Sequence, residues 1–327
     1  MKILIIQSTN PQFKPIMDVT DRHLEQIKTV LPGSEIQIVN DTENLQTIME
    51  SVDMVITPNI NLIPLPYAKN LKWMQVTSAG VNGLPSELIN NDIIITNASG
   101  VHPIPIAEHV MTFMLTFSHQ FHTLHRTQIE KKTWDYAYQK YPIQELYGKT
   151  IGITGVGRIG SHIAKLAKAL GMHVIAMVRD TSKKYHDVDE LIMEKDIAIM
   201  LKRSDFVVNA MPLTPATHHF FDMQKFQHMK KTAYFINIGR GPVAEEKDLI
   251  AALEIGMIAG AGLDVFEEEP LSQKSPLWNM KNVLITPHSS GSTPEYMNRV
   301  IDIFCENLKA YLDKKQLPNL VDKKRGY

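Results

Sequence analysis

Cysteine is nearly missing from this chain: its 327 residues contain one, Cys305. A single thiol excludes an internal disulfide framework and any zinc site built on cysteines. Nothing asks for an oxidising compartment, so a reducing cytoplasm is the expected location. An excess of one charge is missing too. Lys and Arg total 34 against 35 Asp and Glu, for a formal net charge of −1, and no run of like charge exceeds three residues, 267–269 and 323–325. That balance argues against a dedicated nucleic-acid binder and against a charged interaction tail. Long apolar runs are absent as well. The short apolar segment behind Lys2 is too brief for a signal-peptide core and reads as a first strand. The most apolar stretch, residues 104–117, contains Glu108 and His109 and falls short of the ~20 residues that span a bilayer. What is present is core material, 44% hydrophobic against 21% charged residues, in a length suited to about two domains.

Short apolar runs alternate with segments of helical period almost throughout, the pattern of βαβ units and a parallel sheet. In the first hundred residues strands are predicted at 2–7, 35–39, 54–57, 71–77 and 93–96, and a proline- and asparagine-rich loop at 57–66. A second set is predicted at 150–154, 174–178, 206–210, 233–238, 259–263 and 283–286. Six strands separated mostly by helices fit a doubly wound sheet. Helical stretches near 105–126 and 294–312 fall outside both sheets and read as inter-domain helices. The expected organisation is a discontinuous domain of residues 1–98 and 291–327, with a second domain of residues 99–290 inserted into it.

Gly155-Val156-Gly157-Arg158-Ile159-Gly160 fits G-x-G-x-x-G. Alone the pattern marks many ordinary turns, but here a strand precedes it, and an apolar-faced helix and a second strand follow. In that context the first glycine permits the turn, the second lets a pyrophosphate approach the backbone, and the third lets helix and strand pack closely. The tip of the second strand reads Met177-Val178-Arg179-Asp180. Val178 stands where an NAD reader carries an acid, and the Arg179 fork suits a 2′-phosphate, so NADP(H) is expected over NAD(H). Asp180 is the rival: a shift of two residues would put a carboxylate in the pocket. A solvated loop arginine is the bland alternative for Arg179.

Three further segments end strands with polar groups: Asn237 to Gly241, Asp264 to Pro270, and Thr286-Pro287-His288. Ligands of open α/β sheets sit at the carboxyl ends of strands, so all three can converge on one cleft. Together with Ser78-Ala79-Gly80-Val81, the segment from Thr96-Asn97 to Ala107-Glu108-His109, the glycine loop and Met211-Pro212-Leu213-Thr214, in this order, they make the chain resemble the D-2-hydroxyacid dehydrogenases over essentially its whole length. The resemblance implies a flavodoxin-like substrate domain beside a Rossmann dinucleotide-binding domain.

It also implies roles. Arg240 clamps the substrate carboxylate and polarises the 2-keto oxygen. His288 donates the proton, and Glu269 pairs with it. Asp264 holds the nicotinamide carboxamide, and the amides of Ala79, Gly80 and Val81 bind the carboxylate from the other domain. Arg158, Ile159, Met211, Pro212, Thr217, Ile238, Gly239 and Gly291 line the cofactor. The chemistry needs these residue types. The alkoxide formed at C2 must be protonated as it appears, which suits a histidine beside a carboxylate, and an arginine fork fixes a planar carboxylate. Arg179 and the closing residues 321–327 look like NADPH-dependent glyoxylate/hydroxypyruvate reductases. A homodimer through residues 105–147 is a further implication.

Other residues have plainer readings. His119, His122 and His125 recur every third residue but precess around a helix with no acid nearby, and so read as a solvated or subunit-facing surface. Glu267 and Glu268 read as solvated loop charges. Met111, Met114 and Leu115 read as helix packing, and Cys305 as a small core residue. Trp278 either packs the loop after the Glu269 segment or edges the active site. A rival of another class is a nucleotide-sensing corepressor on the same fold. Enzyme rivals are dehydrogenases of another 2-hydroxy acid, of a formate-like substrate, or of a phosphorylated one. The last would need cations near residues 57–66, where none occurs before Lys69.

Overall fold

A computed structural model of the chain describes residues 1–8, 14–40, 43–81, 84–134 and 142–323. It divides into two compact units, Met1–His102 with Ser292–Tyr327, and Pro103–Gly291. These divisions fall one to four residues beyond the sequence-based boundaries at 98/99 and 290/291.

The first unit contains strands β1 (Lys2–Ile6), β2 (Glu35–Val39), β3 (Met54–Thr57), β4 (Trp73–Val76) and β5 (Ile94–Thr96). They pair in parallel in the order β2-β1-β3-β4-β5, the flavodoxin-like order. Central strands are buried on both faces, which is why β1 and β3 are continuous apolar runs rather than alternating ones. Ile3, Ile5 and Trp73 pack under the helix Tyr296–Leu312, and Trp73 stacks on Phe304 at 4.9 Å. That helix is therefore a constituent of this unit's core. Cys305 is buried on it, and burial pushes its thiol up to about 11.

The second unit contains β6 (Thr150–Thr154), β7 (His173–Met177), β8 (Glu190–Ile192), β9 (Phe206–Asn209), β10 (Tyr234–Asn237), β11 (Gly260–Leu263) and β12 (Val283–Ile285). All pair in parallel, in the order β12-β11-β10-β9-β6-β7-β8. Both units are thus doubly wound α/β sheets, and this one has the Rossmann order with β12 added. β8 escapes sequence reading because three half-buried residues carry no legible period.

The predicted helix 105–126 is two helices, Pro103–Ser118 and Phe121–Lys131, parted at Gln120 with its φ of 57°. The first packs on the helix Arg158–Ala169 within this unit's core. The helix Tyr296–Leu312 packs on the first unit's sheet and the helix Pro103–Ser118 in the second unit's core, each by an apolar face. Met111 and Met114 are buried as expected, but Leu115 is exposed. Among the described residues no helix is long and apolar enough to cross a membrane.

Candidate active site

The switch point of the second sheet lies between β6 and β9, where Thr154 pairs with Asn209. The loops leaving these strands touch. Gly155 has a φ of +89°, and a side chain there would meet the carbonyl of Ala210 at 2.9 Å. A side chain on Gly160 would run into the carbonyl of Gly155. Gly157 is the N-cap of the helix Arg158–Ala169 with no side-chain cap, and the space beside its Cα is open. A twelve-residue helix thus presents uncapped first-turn N–H groups at a glycine turn, a cradle that fits a pyrophosphate. Arg158 is exposed and Ile159 half-buried beside it.

Buried amides knit the neighbouring strand ends together. Thr154 Oγ1 donates to Asn209 Oδ1 at 3.1 Å, and Asn209 Nδ2 donates to Asn237 Oδ1 at 2.9 Å. The Asn209 oxygen also accepts from the N–H of Met211, and the Asn237 oxygen from the N–H of Gly239. Asn237 opens one of the strand-end segments legible in the sequence, whereas Asn209 was missed; their side chains fix the main chain at Met211 and Gly239. The signal that could have found Asn209 is an Asn at the last position of two adjacent strands. Thr217 is buried, and its hydroxyl donates to Pro212 O at 2.7 Å, so it shapes the exposed Pro212 loop.

At the tip of β7, Val178 is buried and Arg179 exposed. Asp180 turns its carboxylate onto Ser182, accepting from the N–H at 2.9 Å and from Oγ at 2.6 Å. The Ser182 hydroxyl and N–H, with Lys183 nearby, hold the Asp180 carboxyl below its ordinary range.

β10, β11 and β12 end at one level, with Asn237 opposite Leu263 and Leu263 opposite Ile285. The loops behind them carry Arg240, Glu269 and His288. His288 Nδ1 lies 2.7 Å from Glu269 Oε2, and the other Glu269 oxygen accepts from Phe266 N–H at 3.0 Å. His288 has a φ of 50° and its side chain is about half exposed. Because Nδ1 is committed to Glu269, Nε2 is the nitrogen left to exchange a proton. Arg240 is exposed, with Nη1 donating to Gly239 O at 2.7 Å.

Asp264 is fully buried, and its carboxylate accepts from Thr286 Oγ1 at 2.6 Å, from the N–H groups of Ser289 and Ser290, and from Ser290 Oγ. Its oxygens fix the turn around His288. His109 Nε2 extends this network to Thr286 Oγ1 at 3.1 Å, and burial holds the His109 ring below the usual imidazole range. Thr286 and His109 lay in segments singled out in the sequence, but the contact between them was not legible there. Gly291 closes the second unit, half-buried.

In the first unit, Ala79 is half-buried, Gly80 exposed and Val81 buried at the carboxyl end of β4. Ser78 Oγ bridges to Gly80 O at 2.7 Å. No main-chain carbonyl among the described residues accepts from the amides of Ala79, Gly80 or Val81.

Of the plainer readings, that of Glu267 is corrected and that of Trp278 is narrowed. His119 lies in the break before the helix Phe121–Lys131, and the partly buried His122 ring meets Phe117 edge-on at 5.3 Å, so neither belongs to a uniformly solvated face. Trp278 Nε1 donates to Ser272 O at 3.0 Å, which places Trp278 with the loop after Glu269. Glu268 is exposed, but Glu267 is paired, with His219 Nε2 at 3.0 Å.

Residues 111–290 match the family model of the D-isomer specific 2-hydroxyacid dehydrogenase NAD binding domain. A glyoxylate reductase of Thermofilum pendens is 34% identical over 275 residues, 82% of this chain and 80% of that protein. The crystal structure of a D-isomer specific 2-hydroxyacid dehydrogenase family protein from Aeromonas salmonicida superposes with a TM-score of 0.81 at 31% identity, covering 98% of this chain and 99% of the other. An NADPH-dependent glyoxylate/hydroxypyruvate reductase from Sinorhizobium meliloti, solved with NADP and sulfate, superposes with a TM-score of 0.78 at 25% identity over the whole of both chains. With the glycine turn, the ordered strand ends and the His288–Glu269 pair in place, the chain belongs to the D-isomer-specific 2-hydroxyacid dehydrogenases, oxidoreductases that act with a nicotinamide cofactor.

Proposed function

We propose that this enzyme reduces a small 2-keto acid of the glyoxylate or hydroxypyruvate type to the D-2-hydroxy acid, with NADPH preferred to NADH. The observation that carries the reading is the 2.7 Å contact between His288 Nδ1 and Glu269 Oε2, on a loop in register with the one that carries Arg240. When bound, the nicotinamide supplies the hydride that reduces C2.

The chain's own residues do the rest. Gly155, Gly157 and Gly160 and the helix behind them seat the pyrophosphate. The Arg240 fork takes the substrate carboxylate and draws charge toward the C2 oxygen. His288 Nε2 hands that oxygen its proton, and Glu269 holds the ring in orientation. Asp264 acts through His288, by fixing the turn on which the ring is mounted. The amides of Ala79, Gly80 and Val81 are assigned to the carboxylate.

The NADPH preference rests on the exposed Arg179, together with the turning of Asp180 onto Ser182. A homodimer through residues 105–147 is supported by large exposed apolar side chains there, Phe121, Ile129, Trp134 and Tyr147. Residues 135–141 of that segment, and 324–327 of the C-terminal stretch, lie outside the described residues.

The deciding experiment is an initial-rate panel of glyoxylate, hydroxypyruvate, pyruvate and longer 2-keto acids, each with NADPH and NADH. The highest kcat/KM is expected for a two- or three-carbon acid with NADPH. A protein that binds NADPH and oxidises it with none of these acids is not this enzyme.

A further inference from the structure

Twenty residues or more from Arg240, Glu269 and His288 in sequence, a second histidine stands between two carboxylates in the same unit. His219 Nδ1 pairs with Glu245 Oε2, and its Nε2 lies 3.0 Å from Glu267 Oε1. A neutral imidazole has one N–H and one lone pair, so with acceptors at both nitrogens only the imidazolium makes both bonds. The same geometry disfavours a bound metal ion. One ring nitrogen and one oxygen of each carboxylate do lie within 4.8 Å of one another, but the shortest contacts give each carboxylate its own nitrogen, the arrangement of a clasped imidazole and not of three ligands on one ion.

The three residues sit where the catalytic loops meet. His219 N–H donates to Pro242 O at 2.8 Å, in the turn directly after Arg240. Glu245 precedes the helix Glu246–Glu254. Glu267 is two residues before Glu269, and it exchanges main-chain contacts with Glu246: Glu246 N–H donates to Glu267 Oε1 at 3.1 Å, and Glu267 N–H to Glu246 Oε2 at 3.2 Å. The Arg240 turn rests on this loop so closely that a side chain on Gly241 would strike the carbonyl of Phe266.

His219 is held here with a φ of 51°. The groups facing it are Glu245 and Glu267, with the His218 ring 3.8 Å away by centroid. Lys247 lies 3.1 Å from Glu245 and is exposed. Burial pushes the Glu246 carboxyl above its ordinary range, and the charges of Glu267 and Glu268 add to that push. In this acidic cluster His219 is the side chain that bridges Glu245 and Glu267.

We propose that His219, as an imidazolium bonded to Glu245 and Glu267, is a positioning residue that sets the Arg240 turn and the Glu269 loop in register, and so holds Glu269 against His288. The inference rests on the catalytic reading of these three residues. Loss of the clasp lets the loop bearing Glu269 drift, and the His288 ring then loses its carboxylate neighbour.

The test uses the full chain labelled with ¹⁵N-histidine, together with His219→Asn, Glu267→Gln and the control Glu268→Gln. Asparagine tolerates a positive φ, so His219→Asn removes the cation with little backbone strain. Imidazole resonances of the wild type are expected to show His219 with both N–H protons at neutral pH. In His219→Asn and in Glu267→Gln, His288 is expected to titrate at lower pH. In both, kcat for the 2-keto acid is expected to fall about tenfold while the NADPH KM stays within about twofold. Glu268→Gln is expected to match the wild type in each readout.

A neutral His219 at pH 7 overturns the proposal. So does an unmoved His288 titration in both variants, even where both melt earlier, since that is a merely structural role. The His288 titration is read without substrate. It therefore decides the clasp separately from the turnover panel, which decides the reaction.

Discussion

The backbone N–H of His288 donates to the carbonyl oxygen of Asp264 at 2.9 Å, while the Asp264 carboxylate gathers the N–H groups of the next two residues, Ser289 and Ser290. One buried acid thereby sets the turn that carries the proposed proton donor. Asp264→Asn places an amide among groups that all donate, leaving buried donors unmatched. It is expected to cost about 2–3 kcal/mol of stability, read as a fall in Tm of about 4–12 °C, and to lower kcat as the His288 turn loosens. An unchanged Tm would remove Asp264 from this role.

His288→Ala removes the proposed acid without touching the glycine turn. Reduction of the 2-keto acid is expected to fall about 10²–10⁴-fold. NADPH titration by fluorescence is expected to be unaltered. A variant of undiminished kcat means that His288 is not the donor.

Arg240→Lys keeps the charge and loses the planar fork. We expect kcat/KM to drop about 10²-fold or more, with NADPH affinity nearly unchanged. Steady-state kinetics at saturating NADPH measure the difference, and equal kcat/KM values would contradict the clamp.

Arg179→Ala tests the cofactor preference. A charge-assisted contact to a 2′-phosphate is worth about 1.5–3 kcal/mol, so the NADPH/NADH ratio of kcat/KM is expected to fall at least about tenfold. A ratio that stays put means the preference lies elsewhere.

Acid stability has a separate lever in the second unit. The Arg203 fork bonds both oxygens of Glu190 at 2.6 Å, with His173 at 2.8 Å, and these contacts hold the Glu190 carboxyl at about 2 instead of 4.5. A depressed folded-state value stabilises the fold above the unfolded value, and the gain is lost as pH falls from about 4.5 toward about 2. Glu190→Gln is expected to melt a few degrees below the wild type near neutral pH, since the pair is exposed and screened by salt. The two melting curves are expected to converge toward pH 2. A gap that persists at low pH would refute the linkage.

Strands and helices were legible where burial is two-sided or strongly periodic. The residues Ile3 to Ile6 and Val207 to Asn209 read as parallel-sheet strands because both of their faces are covered. β8 was not legible, since three half-buried residues at a sheet edge carry no period. The break at Gln120 was invisible because no glycine or proline marks its φ of 57°. In the site, Arg240, Glu269 and His288 were marked by their strand-end motifs. His109, Thr286 and Asn237 stood in the same segments without a role, and Asn209 was not marked at all, because their partners lie on other elements at long sequence separation.

By itself the sequence determined a glycine turn fit for an anion and the absence of a cysteine framework, and through the family it resembles it pointed to Arg240, Glu269 and His288. The first two depend only on local spacing and residue type. Only the tertiary structure decided which charges are spent on the fold and which remain for a ligand. Asp264 and Glu267 carry the same charge on one loop as Glu269. The first is buried against its own turn, the second is drawn to His219, and the third is left facing His288. That sorting follows from which strand ends stand side by side, a relation that spacing along the chain does not contain.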